Sequence, residues 1–311
     1  MTMPLSERCK GRWSGILTGL GVDSRHLNGK HGPCPICNNG TDRFRYDDKD
    51  GRGTWLCSKC GAGDGVSLVM RLKGVDFKGA AELIEGIVGK VQATAIKTTR
   101  DERALRDAMN RLWTMGIAPS QGDPVWRYME NRGIILDEWP KSIRYVERCR
   151  YQDDAATHWP AMIARVTGAD GAPSTIHRTY LTTEGTKAPV MSPRRLMPGK
   201  IDKGCAIRLC ASGPVLGIAE GIETALSASK IWSVPVWAAV SAGMLMAWIP
   251  PEGVKEVIVF GDNDTSFAGQ SAAFALAHRL SANGVRVRVE MPPDPGMDWN
   301  DCLLADTKNA A

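Results

Sequence analysis

The chain has 311 residues, 43% of them hydrophobic and 23% charged, with a net charge of +5. This length accommodates two domains, or three with a small module in front, and the composition is that of an ordinary globular protein rather than a disordered or fibrous one. No apolar run approaches the roughly 20 residues that span a bilayer, and the first eight residues lack a signal-peptide core, so a cytoplasmic protein without membrane association is expected.

Charge is unevenly spread. Residues 1–100 carry 16 Lys/Arg against 10 Asp/Glu, residues 101–211 carry 17 against 13, and residues 212–311 carry 6 against 11. A basic front suits a polyanionic partner, and an acidic back suits divalent cations. Nine cysteines, an odd number, fit a reducing compartment better than a disulfide framework. Five of them (Cys9, Cys149, Cys205, Cys210, Cys302) are scattered and read as buried or incidental.

In chain order, residues 12–28 have helical spacing up to Asn28-Gly29. Cys34-Pro-Ile-Cys37 and Cys57-Ser-Lys-Cys60 then form two CxxC knuckles separated by nineteen residues. That is the ligand set of a tetrahedral zinc ribbon, with His31 as a weaker substitute ligand. Between the knuckles Arg43–Tyr46 and Gly53–Leu56 alternate as two small strands. Helices are predicted over Val66–Leu72, with Asp64 or Ser67 near its start, over Phe77–Val88, and over 101–117 with Leu105, Met109, Leu112 and Trp113 on one face. Gly89–Thr99 reads as a linker.

Pro124–Asn131 reads as a helix, and Ile143–Val146, Ala161–Val166 and Thr175–Leu181 as strands. The basic, Pro/Gly-rich stretch Lys187–Lys203 fits no regular element. After Gly213, apolar strands at Val215–Ala219, Val234–Val240, Glu256–Phe260 and Val285–Glu290 alternate with helices, the pattern of a mostly parallel sheet covered on both faces. Ligands bind at the carboxyl ends of such strands. Glu220 follows the first strand, Asp262 and Asp264 follow the third, and Asp298 lies beyond the fourth. Carboxylates at two strand ends of one domain can hold Mg²⁺ or Mn²⁺, with Glu220 as general base or a further ligand. Asp294 and Asp301 read as turn or cap residues.

Two segments carry a resemblance. Leu216-Gly-Ile-Ala-Glu220-Gly221 with Val257-Ile-Val-Phe-Gly-Asp262-Asn-Asp264 resembles the Toprim domain of bacterial-type primases, topoisomerases and certain nucleases. His31-Gly-Pro-Cys34 through Cys60-Gly-Ala-Gly-Asp-Gly65 resembles the zinc ribbon of phage- and plasmid-type primases. The order of modules is that of a DNA primase of a mobile-element lineage. The resemblance implies a multi-domain α/β protein: a zinc-ribbon domain with flanking helices over 1–89, a linker and helix over 90–119, a mixed α/β subdomain over 120–211 and a Toprim catalytic domain over 212–311.

The same resemblance implies Glu220 as the acid/base residue, Asp262 and Asp264 as Mg²⁺ ligands with Asp298 as a less firm third, and one structural Zn²⁺ on Cys34, Cys37, Cys57 and Cys60. Arg43, Arg45 and the aromatic Trp55 would contact single-stranded DNA, with packing around the knuckles as the alternative for Trp55 and Phe44. Arg178, Lys187, Arg194, Arg195 and Lys200 would neutralise the incoming ribonucleoside triphosphate and the template, Lys187 and Arg178 being favoured. The chain contains no GxxxxGK[ST] loop, so a helicase is expected as a separate partner.

Two rivals remain open. A non-catalytic recombination mediator of RecR type also pairs a four-cysteine module with a Toprim domain, but without about 140 residues between them. A Toprim nuclease or topoisomerase would need an ATPase domain or a recognisable tyrosine nucleophile.

Overall fold

The computed structural model describes residues 4–91, 102–151, 157–199, 201 and 203–309. Most of the expected linker Gly89–Thr99, from residue 92 on, and Lys200 lie outside the described residues. The chain divides into two units, Met1–Glu102 and Arg103–Ala311, each with its own core.

The first unit begins with short helices α1 (Leu5–Cys9) and α2 (Trp13–Gly19). A three-stranded antiparallel sheet follows: β1 (Phe44–Tyr46), β2 (Trp55–Cys57) and β3 (Gly61–Gly63). Phe44 faces Cys57 and Tyr46 faces Trp55 across the first pair, so alternation buries these four and turns Arg45 and Leu56 outward. β3 was not anticipated, because two of its three residues are glycines and leave no side-chain pattern to read. Helix α3 (Gly65–Lys73) starts where the Asp64 carboxylate accepts the Ser67 N–H at 2.9 Å, and ends at Gly74, whose φ of 65° only glycine adopts freely. α4 (Phe77–Val88) starts the same way at Asp76, which accepts from the Gly79 N–H at 2.8 Å.

Trp13 is 2% exposed and lies against the backbone of Gly65, where an added Cβ would sit 2.2 Å from the indole. Gly65→Ala is therefore expected to destabilise this unit by about 1–3 kcal/mol through overpacking. Thermal unfolding should show a lowered transition for residues 1–102 and an unchanged one for 103–311; coincidence with wild type would disprove the contact.

The second unit opens with α5 (Glu102–Met115) and α6 (Pro124–Glu130), the latter capped by Asp123 with Pro at its first turn. Strands β4 (Ile143–Arg150), β5 (His158–Thr167), β6 (Pro173–Tyr180), β7 (Arg194–Leu196) and β8 (Ala206–Ile207) follow. Then come β9 (Val215–Ala219), α7 (Ile222–Trp232), β10 (Val236–Ala238), α8 (Ala242–Ala247), β11 (Glu256–Phe260), α9 (Ala268–Ala282), β12 (Arg286–Glu290) and α10 (Trp299–Asn309). Among its described residues, the irregular Lys187–Lys203 stretch thus contains one short strand, β7.

These strands form one sheet in the order β12-β11-β9-β10-β8-β5-β6-β7, with β4 paired to β5. β12, β11, β9 and β10 are parallel, as the apolar runs predict; β8 pairs antiparallel with both β10 and β5 and joins them to an antiparallel half. Alternation along the strands separates two apolar layers. Phe260, Ile258 and Ala219 pack with α6, α7 and α10, whereas Val257, Val259 and Ile218 pack with α8 and α9. Met109, Leu112 and Trp113 of α5 cover Ala161 and Ile163 of β5. Helices therefore flank both faces, and all parallel strands point their carboxyl ends toward Glu220 and Asp262.

Candidate functional site

In the first unit, Cys34, Cys37, Cys57 and Cys60 bring their sulfurs within 4.8 Å of one another. The Cys34 and Cys60 sulfurs are 3.9 Å apart, close to the edge of about 3.8 Å that a tetrahedron with Zn–S bonds of about 2.3 Å requires. Backbone N–H groups of Ile36 and Cys60 donate to the Cys34 and Cys57 sulfurs at 3.4 Å, orienting the donors from outside. Four soft thiols in this geometry fit structural Zn²⁺. His31 stands outside the cluster, with Nδ1 2.8 Å from the Asp42 carbonyl oxygen.

The DNA-facing residues expected around the ribbon divide. Trp55 is 2% exposed, stacks on Phe44 at 6.1 Å and donates its indole N–H to the Asp64 carbonyl and Ser67 hydroxyl. Its face is used up in the core, which corrects the expectation that it stacks on a base. Arg45 projects from the outward side of β1, paired with Asp47 at 2.7 Å, and Arg43 folds over the Gly40 turn of the first knuckle.

In the second unit, Ala219 of β9 and Phe260 of β11 are register partners, so Glu220 and Asp262 emerge from adjacent strands. The Glu220 carbonyl accepts from the Val240 N–H at 2.7 Å, which fixes the backbone at the end of β9. Val240 adopts φ 74°, a left-handed conformation that costs a β-branched residue energy. Burial, against the attraction of Arg194 and reinforced by Asp264, pushes the Glu220 carboxyl up. Burial and the neighbouring charges of Glu220, Asp298 and Asp264 push Asp262 up to about 7. Its Oδ1 is a buried carboxylate oxygen with no hydrogen-bond partner.

Asp264 is different. It accepts from the Ser266 hydroxyl and from the N–H groups of Ser266, Ala268 and Gly269, the last three at 2.9, 3.3 and 2.8 Å; together these bonds, the hydroxyl's foremost, outweigh burial and hold its carboxyl down. It thus also caps α9. Gly269 is required there, since a Cβ would meet the Asp262 carbonyl oxygen at 2.6 Å. Asp298 caps α10, accepting from the Asn300 and Asp301 N–H groups at 2.8 and 2.9 Å, while Asp301 returns a bond to the Asp298 N–H. The loop bearing Asp298 is tied to the Asp-Asn-Asp turn through Asn263, whose N–H donates to the Met297 carbonyl at 3.1 Å.

Among the described residues, no three of these carboxylates bring oxygens as close together as the four thiols lie. The donor set nevertheless fits a hard divalent cation: carboxylate oxygens of one sign, one of them buried and lacking any partner, with proton affinities at Glu220 and Asp262 raised in a way that a cation would reverse. Glu220, Asp262, Asp264 and Asp298 are the residues that would hold it.

The basic residues fall on two sides of the sheet. Thr179 pairs with Arg194 and Arg178 with Arg195, so neighbours in sequence face opposite ways. Arg194 and the half-buried Lys187 lie toward the carboxylates: Arg194 acts on Glu220, Asp262 and Glu223, and Lys187 on Glu223. Arg178 lies over the Tyr180 ring and donates to the Leu196 carbonyl at 3.1 Å; Arg195 covers Tyr151 at 4.0 Å and bonds its hydroxyl. Grouping Arg178 and Arg195 with the acidic site is thereby corrected, because strand alternation sends them to the other face.

Sequence reasoning missed Glu223, Tyr128 and His177. Glu223, in the first turn of α7, is 7% exposed and accepts a hydrogen bond from the Tyr128 hydroxyl of α6. Burial alone would raise its carboxyl, but Arg194, Tyr128 and Lys187 hold it below the usual range. His177, 6% exposed, is driven down to about 4 by burial and so stays neutral. The Glu-Gly-Ile-Glu223 spacing could have flagged the first; nothing local marks the other two.

Three known families match segments of the chain. Residues 29–66 match the zinc-binding domain of primase-helicase, and residues 215–309 match the Toprim domain. Residues 103–209 match a domain of unknown function (DUF7146). The chain therefore carries a primase-type zinc ribbon and a Toprim domain. Solved structures similar to it include the Aquifex aeolicus primase with its zinc-binding and RNA polymerase domains (14% identity, 100% of this chain and 84% of that one, TM-score 0.46). The E. coli primase catalytic core (14%, 67% and 77%, 0.46) and the primase fragment of the bacteriophage T7 primase-helicase protein (14%, 90% and 96%, 0.40) are also similar. No helix among the described residues is long and apolar enough to cross a membrane.

Proposed function

We propose that the protein is a DNA primase: it joins ribonucleotides on a single-stranded DNA template, using the carboxylates of the second unit, while the zinc ribbon engages the template. The observation that carries this reading is the partnerless, buried Asp262 Oδ1 beside Glu220, with Arg194 acting on both carboxyls. A bound divalent cation would screen phosphate charge and activate the attacking hydroxyl oxygen. The chain's own groups do the rest. Asp262 and Asp264 present oxygens along one edge of the sheet. Glu220, with its raised proton affinity, is suited to take the proton of a primer hydroxyl. Arg194 and Lys187 offer positive charge to the triphosphate. On the ribbon, Arg43 and Arg45 would contact the DNA backbone. A separate helicase is proposed as a partner, together with a cytoplasmic site of action.

Incorporation of labelled ribonucleotides on single-stranded templates, with and without Mg²⁺ or Mn²⁺, tests the proposal directly. Metal-dependent products are expected, and chelation should abolish them. DNA binding without incorporation under any metal would favour the RecR-like alternative, and strand cleavage would favour a Toprim nuclease.

A further inference from the structure

The carboxylate that no role above uses is Glu223, and its setting is unusual. It is buried, yet its carboxylate is held in the charged form. Burying a charge is costly unless compensating groups are at hand. Tyr128 supplies the hydrogen bond. Tyr128 in turn is fixed: Arg132 covers its ring at 4.8 Å, and Arg132 is tied to the buried Asn300 by bonds of 3.2 and 2.8 Å. Asn300 also donates to Ser227 of α7 at 3.1 Å, closing a connected frame of α6, α7 and α10 around the carboxylate.

The countercharge comes from Arg194 and Lys187, yet among the described residues neither forms an ion pair within 4.0 Å of Glu223 or donates a side-chain hydrogen bond to the protein. Their donors stay available to an anion, while the field of a fixed negative charge biases where they point. A direct salt bridge would consume the same donors.

We propose that Tyr128 and Glu223 are positioning residues: the Tyr128–Glu223 bond anchors a buried charge that orients Arg194 and Lys187 toward the phosphates of the incoming nucleotide. The inference rests on the nucleotidyl-transfer reading for the identity of the anion. It assigns to residues 103–209 a part in nucleotide affinity, because Tyr128, Lys187 and Arg194 all come from that segment and Glu223 from the Toprim domain.

The test uses the full chain with Tyr128→Phe, Glu223→Gln, Arg194→Ala and the double variant Glu223→Gln/Arg194→Ala. Two readouts are taken: KM and kcat for ribonucleotide incorporation, and Kd for a fluorescent ATP analogue in Mg²⁺ by anisotropy. Tyr128→Phe is expected to raise KM and Kd about 5-fold and Glu223→Gln about 10-fold, with kcat within about twofold, the pattern of lost uniform binding. In the Arg194→Ala background, Glu223→Gln should add less than about twofold, because the two act through one interaction. A purely structural role would lower Tm without this split between KM and kcat. Unchanged Kd in folded Glu223→Gln, or effects that add fully with Arg194→Ala, would overturn the proposal. If Tyr128→Phe does not fold, the Glu223/Arg194 cycle decides alone. Wild type that binds the analogue yet incorporates nothing sinks the polymerase reading and leaves Kd to judge the positioning. Wild type that binds no nucleotide overturns both.

Discussion

Asp262→Ala and Asp264→Ala should each lower primer synthesis at least about 100-fold, a barrier increase of about 2.7 kcal/mol or more. DNA binding should stay within about twofold of wild type, since neither residue lies on the ribbon. The two substitutions should nevertheless part company in stability. Asp262 is a partly buried acid, pushed up to about 7 by burial and by three neighbouring carboxylates, with one buried oxygen that has no partner. Removing it relieves desolvation and like-charge repulsion, so Tm should hold or rise. Asp264 accepts three backbone N–H bonds at the start of α9, and losing such a cap costs about 0.5–2 kcal/mol. Its Tm should fall. Primer yield paired with thermal unfolding separates these outcomes; normal yield from both variants would end the assignment of the carboxylates to catalysis.

The second large effect concerns Cys57→Ser. The core of the first unit includes the buried Cys34 and Cys57, and the partly buried Cys37 and Cys60 pack against it. A structural zinc contributes its binding free energy to folding, about 10–16 kcal/mol in isolated zinc-finger peptides. Losing one thiolate should reduce bound zinc from one equivalent to nearly none and expose residues 30–65 to proteolysis. Residues 103–311 have their own core and should keep their melting transition. Template-dependent initiation should weaken accordingly. Retention of one zinc per chain with unaltered protease resistance would show that the fourth thiolate is dispensable.

The parts of the molecule differed in how far they could be read. The start of α3 and the parallel strands were legible because Asp64 and the apolar runs act on their own neighbourhood, as Asp76 and Asp123 also do at the starts of α4 and α6. The third ribbon strand was hidden by its glycines, and β8, only two residues long, gave no periodicity, although it joins the two halves of the sheet. Trp55 could be placed in a strand, but not inside or outside it, since both outcomes suit an aromatic residue there. Tyr128 and Glu223 are 95 residues apart, and no short-range pattern connects them.

Sequence by itself determined the four zinc donors and the carboxylates at the ends of β9 and β11, because ligand spacing and strand-end position are local properties of the chain. Tertiary structure alone decided which charges share a face. The pairing of β6 with β7 turned Arg194 toward Glu220 and Asp262 and sent Arg178 and Arg195 to the opposite side. Packing of α6 on α7 likewise brought Tyr128 to Glu223. A shift of one residue in strand register reverses every side chain, so the functional face of the sheet is settled by long-range pairing and not by composition or spacing.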